Sequence, residues 1–406
     1  MSVTEPPESP VKRVDVDHDT DRDAPPRSDQ PQDARRSLDQ AQTAAQGAII
    51  AFTGGGSAGH VTPNLALIDA WQRQGGEAIY LGRAESVESQ LLADVDRVPF
   101  IKIPSERLRR YFHWGNFIMP FIVIWGTLRA ALALRKHRPQ LLFSKGGFVA
   151  LPVVIGAWLN RIPVIIHESD GSLGLANRLS LPFTRVVCVA QQRAMRAVKH
   201  RDVRVTGAPL RRDFLEPQPE RAGQLFNLEG ARPLLVIFGG SQGAQRINEA
   251  VWSALERLLS IYEVLHVVGP DKRVTDYDQE YRDLGYHQHE YITEGFADLL
   301  ARAHLVVGRA GANAIAELIT LHKPALLIPL SSKSSRGDQA LNAAEFVELG
   351  GGLTLDNDQL TSDKLCQALE QLEADHSTYT SSLSALPLGA ASARLTQIFT
   401  EIRIKS

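Results

Sequence analysis

Three glycine-rich stretches contain the residues of this chain that could do chemistry. The first, residues 53–60 (TGGGSAGH), satisfies the dinucleotide pattern G-x-G-x-x-G between a strand and a helix. Small residues there let backbone N–H groups approach an anion at a helix N-terminus. The acid that a dinucleotide site needs after the second strand is missing, since Gly82 and Arg83 stand there. His60 could be a base kept neutral by the helix dipole, or a helix-start histidine bonded to the backbone.

The second stretch, residues 239–244 (GGSQGA), has two interpretations. It matches G-x-S-x-G, the nucleophile turn of α/β-hydrolases, which would make Ser241 a nucleophile. A catalytic triad also needs an acid and a histidine later in the chain, yet His266 and His287 lie inside strand patterns. A phosphate-binding loop needs only backbone N–H groups and the Ser241 hydroxyl. We favour the phosphate-binding loop and keep the hydrolase as an alternative.

The third stretch, residues 308–317 (GRAGANAIAE), again joins a strand to a helix through small residues. Glu317 would lie in the first turns of that helix, where it could accept hydrogen bonds from sugar hydroxyls or compensate the helix dipole. Residues 335–342 (SRGDQALN) open the next helix, and Gln339 and Asn342 share one of its faces. Two neighbouring amides suit a neutral polyhydroxyl ligand.

The elements that must position these loops follow an α/β pattern. Two series of apolar runs alternate with helical patterns, which predicts two parallel sheets covered on both faces. The first series is 48–53, 78–82, 141–145, 163–168, 185–190 and 202–206, and the second is 234–238, 263–268, 287–292, 304–308, 325–330 and 352–356. We therefore predict two Rossmann-like doubly wound domains facing a cleft. The predicted boundaries are 47–212 for the N-terminal domain, 213–233 for a linker, 234–385 for the C-terminal domain, and 386–406 for a C-terminal helix that could pack back on the first domain.

Composition separates a tail from this body. The chain has 406 residues, 44% hydrophobic and 22% charged, with a net charge of −2 and two cysteines. Residues 1–46 contain six prolines, ten acidic and six basic residues and no aromatic one, which predicts a disordered tail. The remaining 38 basic and 36 acidic residues give the body a charge of +2. This balance argues against a nucleic-acid partner, and no acidic pair closes a strand beside the cleft, so we expect neither metal nor cofactor.

Six stretches occur in one order over about residues 47–400. They read FTGGGSAGHVTPNLAL, FSKGGFVALPVVI, IIHESDGSLGLANR, GGSQGAQRIN, RAGANAIAE and SRGDQALNA. Together they resemble the MurG family, the UDP-N-acetylglucosamine–N-acetylmuramyl-(pentapeptide) pyrophosphoryl-undecaprenol N-acetylglucosamine transferases of peptidoglycan synthesis. The resemblance implies a GT-B fold and inverting transfer of N-acetylglucosamine from its UDP ester to the C4 hydroxyl of lipid I, giving lipid II. It also implies a peripheral enzyme on the cytoplasmic face of the cell membrane, with a place in cell-wall biogenesis and cell division and possible contacts with other cell-wall synthesis proteins.

The resemblance also assigns residue roles. His60 becomes the candidate general base. The residues implied to bind UDP-N-acetylglucosamine are Ser57, Ala58, Gly59, Asp170, Arg211, Ser241, Ile292, Ala312, Asn313, Ala314, Glu317, Gln339 and Asn342. The sequence departs from the commonest family pattern at Asp170, in HESD where HEQN is usual, and at Ala58, where glycine is usual. A branch of the family with HESD and SRGDQ looks similar, so we interpret both as branch differences.

An acceptor in a membrane requires an attachment surface, and residues 105–138 offer one. The apolar run 117–125 is about half the length of a spanning helix and contains Pro120, which favours an interfacial patch with flanking cations. The alternative is that Ile122 and Trp125 are ordinary helix core, and we expect part of that run to be so. The residues predicted to contact an anionic phospholipid surface are Leu108, Arg109, Arg110, Tyr111, Phe112, Trp114 and Phe117.

Three other functions stay open at this point. One is a GT-B enzyme with another UDP-sugar acceptor, or a UDP-sugar epimerase. The second is a serine hydrolase that uses Ser241. The third is a nucleotide-binding module without turnover.

Overall fold

A computed structural model describes residues 45–56, 58–93, 95–105, 119–228, 230, 232–331, 337–386 and 390–404. It contains two parallel sheets, one in each half of the chain. The strands of the first sheet are β1 (Ile49–Thr53), β2 (Glu77–Gly82), β3 (Phe100–Lys102), β4 (Leu141–Ser144), β5 (Val164–Glu168), β6 (Val186–Val189) and β7 (Val203–Val205). The strands of the second are β8 (Leu234–Phe238), β9 (Glu263–Val267), β10 (Tyr286–His289), β11 (Leu305–Gly308), β12 (Ala325–Leu327) and β13 (Gly352–Thr354).

Both sheets have the doubly wound order. The first runs β3-β2-β1-β4-β5-β6-β7 and the second β10-β9-β8-β11-β12-β13. In each, the order reverses beside the first strand, which pairs with its successor on one side and with a later strand on the other. Loops at such a switch point diverge and leave a crevice at the carboxyl ends of the strands. The predicted pair of Rossmann-like domains is confirmed.

Helices cover both faces of the sheets. They are α1 (Ala58–Arg73), α2 (Val87–Leu91), α3 (Met119–His137), α4 (Ala150–Leu159), α5 (Leu175–Ser180), α6 (Gln192–Ala197), α7 (Arg212–Leu215), α8 (Pro219–Phe226), α9 (Gln245–Ser253), α10 (Leu255–Leu259), α11 (Thr275–Tyr281), α12 (Phe296–Arg302), α13 (Ala312–Thr320), α14 (Asp338–Glu348), α15 (Ser362–Ala374), α16 (His376–Ser384) and α17 (Ala391–Ile404). Each sheet lies between two apolar clusters, one on either face. This explains why the central strands are continuously apolar.

Strand β3 was missed from the sequence. It has three residues, follows Pro99, and pairs with β2 at the edge of the first sheet. None of its residues is fully buried, so its sequence lacks the long apolar run by which the central strands were found.

The predicted linker 213–233 is not extended in the structure. It contains most of α7 and all of α8, and Phe214, Ala222 and Phe226 belong to the apolar core of the second domain. The segment therefore packs as part of that domain, since its apolar residues recur at helical spacing and the Pro and Arg residues occupy the ends and outer faces.

Helix α17 returns to the first domain. Its residues Leu395, Ile398 and Phe399 pack in the same cluster as β1 and α1. The Phe399 ring lies 5.3 Å from the Phe143 ring between centroids, in an edge-to-face arrangement. At the helix end, Arg204 on β7 pairs with Glu401 at 2.6 Å. The last element of the chain thus completes the core of the first domain.

Helix α3 presents a continuous apolar face to solvent. Phe121 is 70% exposed and Trp125 56% exposed, and Ile124, Leu128 and Leu132 follow on the same side. Trp125 is therefore not in the part of the run that could be helix core, because the opposite side of α3, with Ala130 and Leu134 among its residues, packs on the sheet. The seven residues predicted to contact lipid (Leu108, Arg109, Arg110, Tyr111, Phe112, Trp114 and Phe117) lie outside the described residues. Among the described helices, none is both long and apolar enough to span a membrane.

We predict that Phe399→Ala destabilises the first domain by about 3–5 kcal/mol, because it removes a ring packed among three other aromatic rings. Chemical denaturation followed by tryptophan fluorescence measures the change. Ile404→Ala on the same helix is the control, because Ile404 is exposed and should cost less than about 0.5 kcal/mol. Equal effects of the two substitutions would contradict the packing described.

Candidate active site

The first glycine loop joins β1 to α1 at the switch point of the first sheet. Gly56 adopts a left-handed conformation (φ +86°), and its N–H donates to the Glu88 carboxylate at 3.3 Å. A Cβ on Gly55 would lie 2.4 Å from the same carboxylate, so a side chain there would require the Glu88 carboxylate to move. His60 follows in the first turn of α1. Of the predicted neighbours, Gly59 is exposed, while Ser57 and the side chain of Ala58 lie outside the described residues.

A second loop, residues 145–148 after β4, contacts the first glycine loop. The Gly55 N–H donates to the Gly146 carbonyl at 3.3 Å. Gly147 has φ +88°, and a Cβ there would lie 2.2 Å from the Gly55 carbonyl oxygen. Strands β1 and β4 are neighbours, so their carboxyl ends bring the two loops together. This contact places Lys145 beside His60.

His60 lies among charged groups of both signs. Partial burial and the Lys145 ammonium lower the pKa of His60 below its ordinary 6.5, whereas Asp170, a hydrogen bond to the Lys145 backbone and Glu88 act in the opposite direction. The net lowering leaves the imidazole neutral at pH 7, which is the form that accepts a proton. The environment of His60 therefore suits a general base.

Ser241 does not belong to a catalytic triad in this structure. It lies on an exposed turn closed by the Gly243 N–H and the Gly240 carbonyl at 2.9 Å, just before α9. His266 is fully buried between the Tyr286 hydroxyl and Asn248, and His287 bonds to Glu263. Both histidines therefore have other partners, and the structure gives the hydrolase alternative no support from them. A turn of exposed amides at the carboxyl end of β8 remains compatible with phosphate binding.

The third glycine loop faces the first across the cleft. The Asn313 side-chain amide, in the first turn of α13, donates to the Gly59 carbonyl in α1 at 3.1 Å. Ala312 and Ala314 flank it in the same turn. The N-termini of two helices, one from each domain, therefore meet at the cleft, where each favours negative charge.

Arg211 and Glu317 lie near each other at the edge of the cleft. Arg211 pairs with Asp213 at 3.1 Å and stands 5.4 Å over the Phe214 ring. Burial raises the pKa of Glu317 to about 8, although the Arg211 charge opposes that rise. Arg211 also borders a cavity of about 540 Å³ whose wall includes Thr293 in the loop after β10. Ile292 precedes Thr293 in that loop, beyond the end of β10 at His289.

The two amides of α14 are bonded to other parts of the protein in this structure. Asn342 is fully buried, and its side chain donates to Asp170 at 3.1 Å and accepts from the Gly171 N–H at 3.2 Å. It also donates to the Ala310 carbonyl at 3.2 Å. Gln339, one turn earlier, accepts from the Leu330 N–H at 2.9 Å. Asn342 thus joins the two domains in this structure, and both amides already have protein partners.

Several polar residues of the site escaped the sequence analysis. Lys145, His167 and Glu168 are buried at the ends of the adjacent strands β4 and β5, and Glu88 lies under the first loop. The signal for Lys145, His167 and Glu168 was present in the stretches FSKGGF and IIHESD, which end two successive predicted strands. Within the described ranges, the acidic, histidine and cysteine side chains form no group that could hold a metal ion.

Comparison with known proteins identifies the family. Two family models match the chain: the glycosyltransferase family 28 N-terminal domain over residues 50–189, and the C-terminal domain of the same family over residues 234–394. A Legionella pneumophila protein is 41% identical over 354 residues, which is 87% of this chain and 96% of that protein. Its name is UDP-N-acetylglucosamine–N-acetylmuramyl-(pentapeptide) pyrophosphoryl-undecaprenol N-acetylglucosamine transferase. The chain belongs to the MurG family.

Further relatives agree with this assignment. A Clostridium perfringens protein of the same name is 41% identical over 341 residues, covering 84% of this chain and 94% of that protein. The crystal structure of Acinetobacter baumannii MurG superposes with a TM-score of 0.69 at 22% identity, over 87% of this chain and 99% of that one. The MurG-family prediction and the GT-B fold are thus confirmed, and the chain is a glycosyltransferase.

We predict a pH-dependent effect of Glu317→Gln on stability. A carboxyl whose pKa is raised on folding stabilises the fold fully below about pH 4.5 and progressively less as the pH rises through 8. Glutamine resembles the protonated form, so the variant should match wild type at pH 4.5 and exceed it by about 1–2 kcal/mol at pH 8.5. Urea denaturation at the two pH values measures this difference. A constant difference across the range would contradict the raised pKa.

Proposed function

We infer that this chain transfers N-acetylglucosamine from UDP-N-acetylglucosamine to the C4 hydroxyl of lipid I and so makes lipid II. The observation that carries this inference is the meeting of α1 and α13 at the cleft, with Asn313 bonded to the Gly59 carbonyl and the neutral His60 beside them. Two helix N-termini from different domains suit a diphosphate bound between the domains. The name of the relatives supplies the identity of donor and acceptor.

The reaction needs a base on one side of the sugar and an anion site on the other. In our proposal, His60 takes the proton of the acceptor hydroxyl as that oxygen attacks the anomeric carbon from the face opposite UDP. Attack from that face inverts the anomeric centre and gives a β-1,4 link. The leaving diphosphate gains negative charge, which the helix N-termini and loop amides stabilise.

The donor would occupy the second domain. Ser241 and the turn around it would bind phosphate, and the backbone of Ile292 would contact the uracil beside the cavity that Arg211 borders. Glu317 would accept hydrogen bonds from the ribose hydroxyls. Asn342 can bind the sugar only after it releases Asp170 and Gly171, so donor entry requires these contacts between the domains to open.

We predict that His60→Ala lowers transfer of labelled N-acetylglucosamine to a short-chain lipid I analogue by a factor of about 10²–10⁴, the usual contribution of a general base. Calorimetry should show UDP-N-acetylglucosamine affinity within a few-fold of wild type, since His60 acts on the acceptor. His304→Ala is the control, because His304 pairs with Glu373 in the second domain, outside the proposed site. Full activity of His60→Ala would refute the assignment of the base.

We also propose that the chain docks on the anionic cytoplasmic face of the cell membrane through α3. The exposed apolar side chains on that helix lie beside a C-terminal turn that contains Arg135, Lys136 and His137. Apolar residues at the headgroup boundary with neighbouring cations are the usual means of interfacial binding. The segment that precedes α3 contains Phe112 and Trp114, which we include in this surface.

We predict that Phe121→Ser with Trp125→Ser, and separately Phe112→Ser with Trp114→Ser, each weaken binding to phosphatidylglycerol-containing liposomes at least tenfold. The loss arises because apolar area no longer enters the lipid. Cosedimentation measures it, and affinity for UDP should not change. Ile261→Ser, at an exposed apolar residue of the second domain, is the control. Unchanged liposome binding by both double variants would refute the proposed membrane-binding surface.

A further inference from the structure

The side chain of Asn342 already makes every hydrogen bond that an amide can make. Its Nδ2 group donates to Asp170 Oδ1 at 3.1 Å and to the Ala310 carbonyl at 3.2 Å. Its Oδ1 atom accepts from the Gly171 N–H at 3.2 Å and from Gln191 Nε2 at 3.4 Å. An asparagine amide offers two N–H donors and two acceptor lone pairs. A sugar hydroxyl can therefore bond to Asn342 only by displacing one of these four partners.

Three of the four partners come from the first domain. Asp170 and Gly171 lie in the turn after β5, residues 170–172, and Gln191 follows β6. Together they offer the Asn342 amide both an acceptor and donors, as the hydroxyls of a sugar would. The 170–172 turn therefore occupies the amide that the proposed function assigns to the donor sugar.

A further hydrogen bond fixes this turn against α14. Ser172 Oγ donates to Asp338 Oδ1 at 2.7 Å. Asp338 is the first residue of α14 and Asn342 is four residues later, so both side chains project from one face of the helix. Ser172 and Asp338 are partly buried, and the proposed reaction gives neither a role. One short turn thus bonds to two successive positions on the same helix face.

The turn also packs closely against the helix. Gly171 is buried, and a Cβ built on it would lie 3.1 Å from the Gln191 side-chain oxygen and 3.6 Å from Leu341 Cβ. This spacing leaves no room for a sugar ring between the turn and the fully buried Asn342. The turn must withdraw before the sugar enters. Because its three residues are consecutive, that withdrawal breaks the bond from Ser172 together with those to Asn342.

We propose that Ser172 and Asp338 determine the affinity of the free enzyme for the sugar part of its donor, because they hold the 170–172 turn on the amide that the sugar must take. The proposal rests on the proposed function, in which Asn342 binds the N-acetylglucosamine of the donor. Only the fraction of molecules in which the turn has withdrawn binds the sugar, and the apparent dissociation constant is the intrinsic one divided by that fraction. Both residues act through Asn342, so they are positioning residues.

Calorimetric titration with UDP-N-acetylglucosamine and with UDP tests the proposal. Ser172→Ala should lower the dissociation constant of UDP-N-acetylglucosamine about three- to tenfold, as expected for the loss of one partly exposed hydrogen bond. The dissociation constant of UDP should not change, because UDP lacks the sugar that needs Asn342. Ser172→Thr keeps the hydroxyl and should behave as wild type. Ser260→Ala is the control, since the Ser260 hydroxyl bonds to the Arg257 carbonyl within the second domain.

A second measurement needs no donor. Solvent exchange of the Gly171 N–H, followed by NMR on protein labelled with ¹⁵N-glycine, reports how often this group leaves Asn342. Exchange in free Ser172→Ala should be faster than in wild type by the same factor that its affinity gains. Adding UDP-N-acetylglucosamine to wild type should also speed it, whereas UDP should not.

The outcomes separate this proposal from the proposed function. Equal or weaker binding of UDP-N-acetylglucosamine by Ser172→Ala overturns the proposal, since a turn that stays in place around the bound sugar would lose affinity without its hydroxyl. An unchanged Gly171 exchange rate in Ser172→Ala also overturns it. If wild type transfers no sugar to the lipid I analogue while both shifts occur, the transferase assignment fails and the competition between the turn and the donor sugar stands.

Discussion

The close approach of two glycine loops determines the geometry of the cleft. Gly147 lies so near the Gly55 carbonyl that any side chain there would overlap it, and the Gly55 N–H bonds to the Gly146 carbonyl. Because β1 and β4 are adjacent parallel strands at the switch point, their loops must meet, and glycine lets them meet without side chains between them. His60 and Lys145 flank this contact. The electrostatics of the site therefore follow from backbone packing.

The charged groups in the cleft interact with one another, and a hydrogen bond connects them to the second domain. Lys145 is balanced by Glu168 and Asp170, and Asp170 is bonded to Asn342 of the second domain. A donor sugar that takes the Asn342 amide would release one hydrogen bond from Asp170, which changes how far that carboxylate offsets Lys145. A single buried amide, that of Asn342, thus connects the second domain with the charged groups of the first.

The sequence was sufficient to predict those features of the structure that have a local residue pattern. The central strands were found because they are continuously apolar, and His60 because it ends a glycine loop before a helix. The short edge strand Phe100–Lys102 lacks that pattern. The helices within 213–233 were not predicted because Pro and Arg residues at their ends and outer faces made the segment look like a linker. The bond between Asn342 and Asp170 joins residues 172 positions apart, so no local spacing could predict it. The exposure of Trp125 could not be predicted, because an apolar run does not tell which of its faces meets the core.

The same reasoning explains why Lys145 was recognised only as part of a motif. A lysine that follows a strand is ordinarily a surface residue, so the sequence alone predicts a charge in contact with solvent. Its burial depends on three separate segments: the glycine loop that covers it, the 167–169 turn that accepts its hydrogen bonds, and the Gly207 carbonyl that fixes the His167 tautomer. A buried ammonium without these partners would lose its proton. The burial of Lys145 is therefore defined by tertiary contacts, whereas His60 is visible in the sequence at the end of a glycine loop.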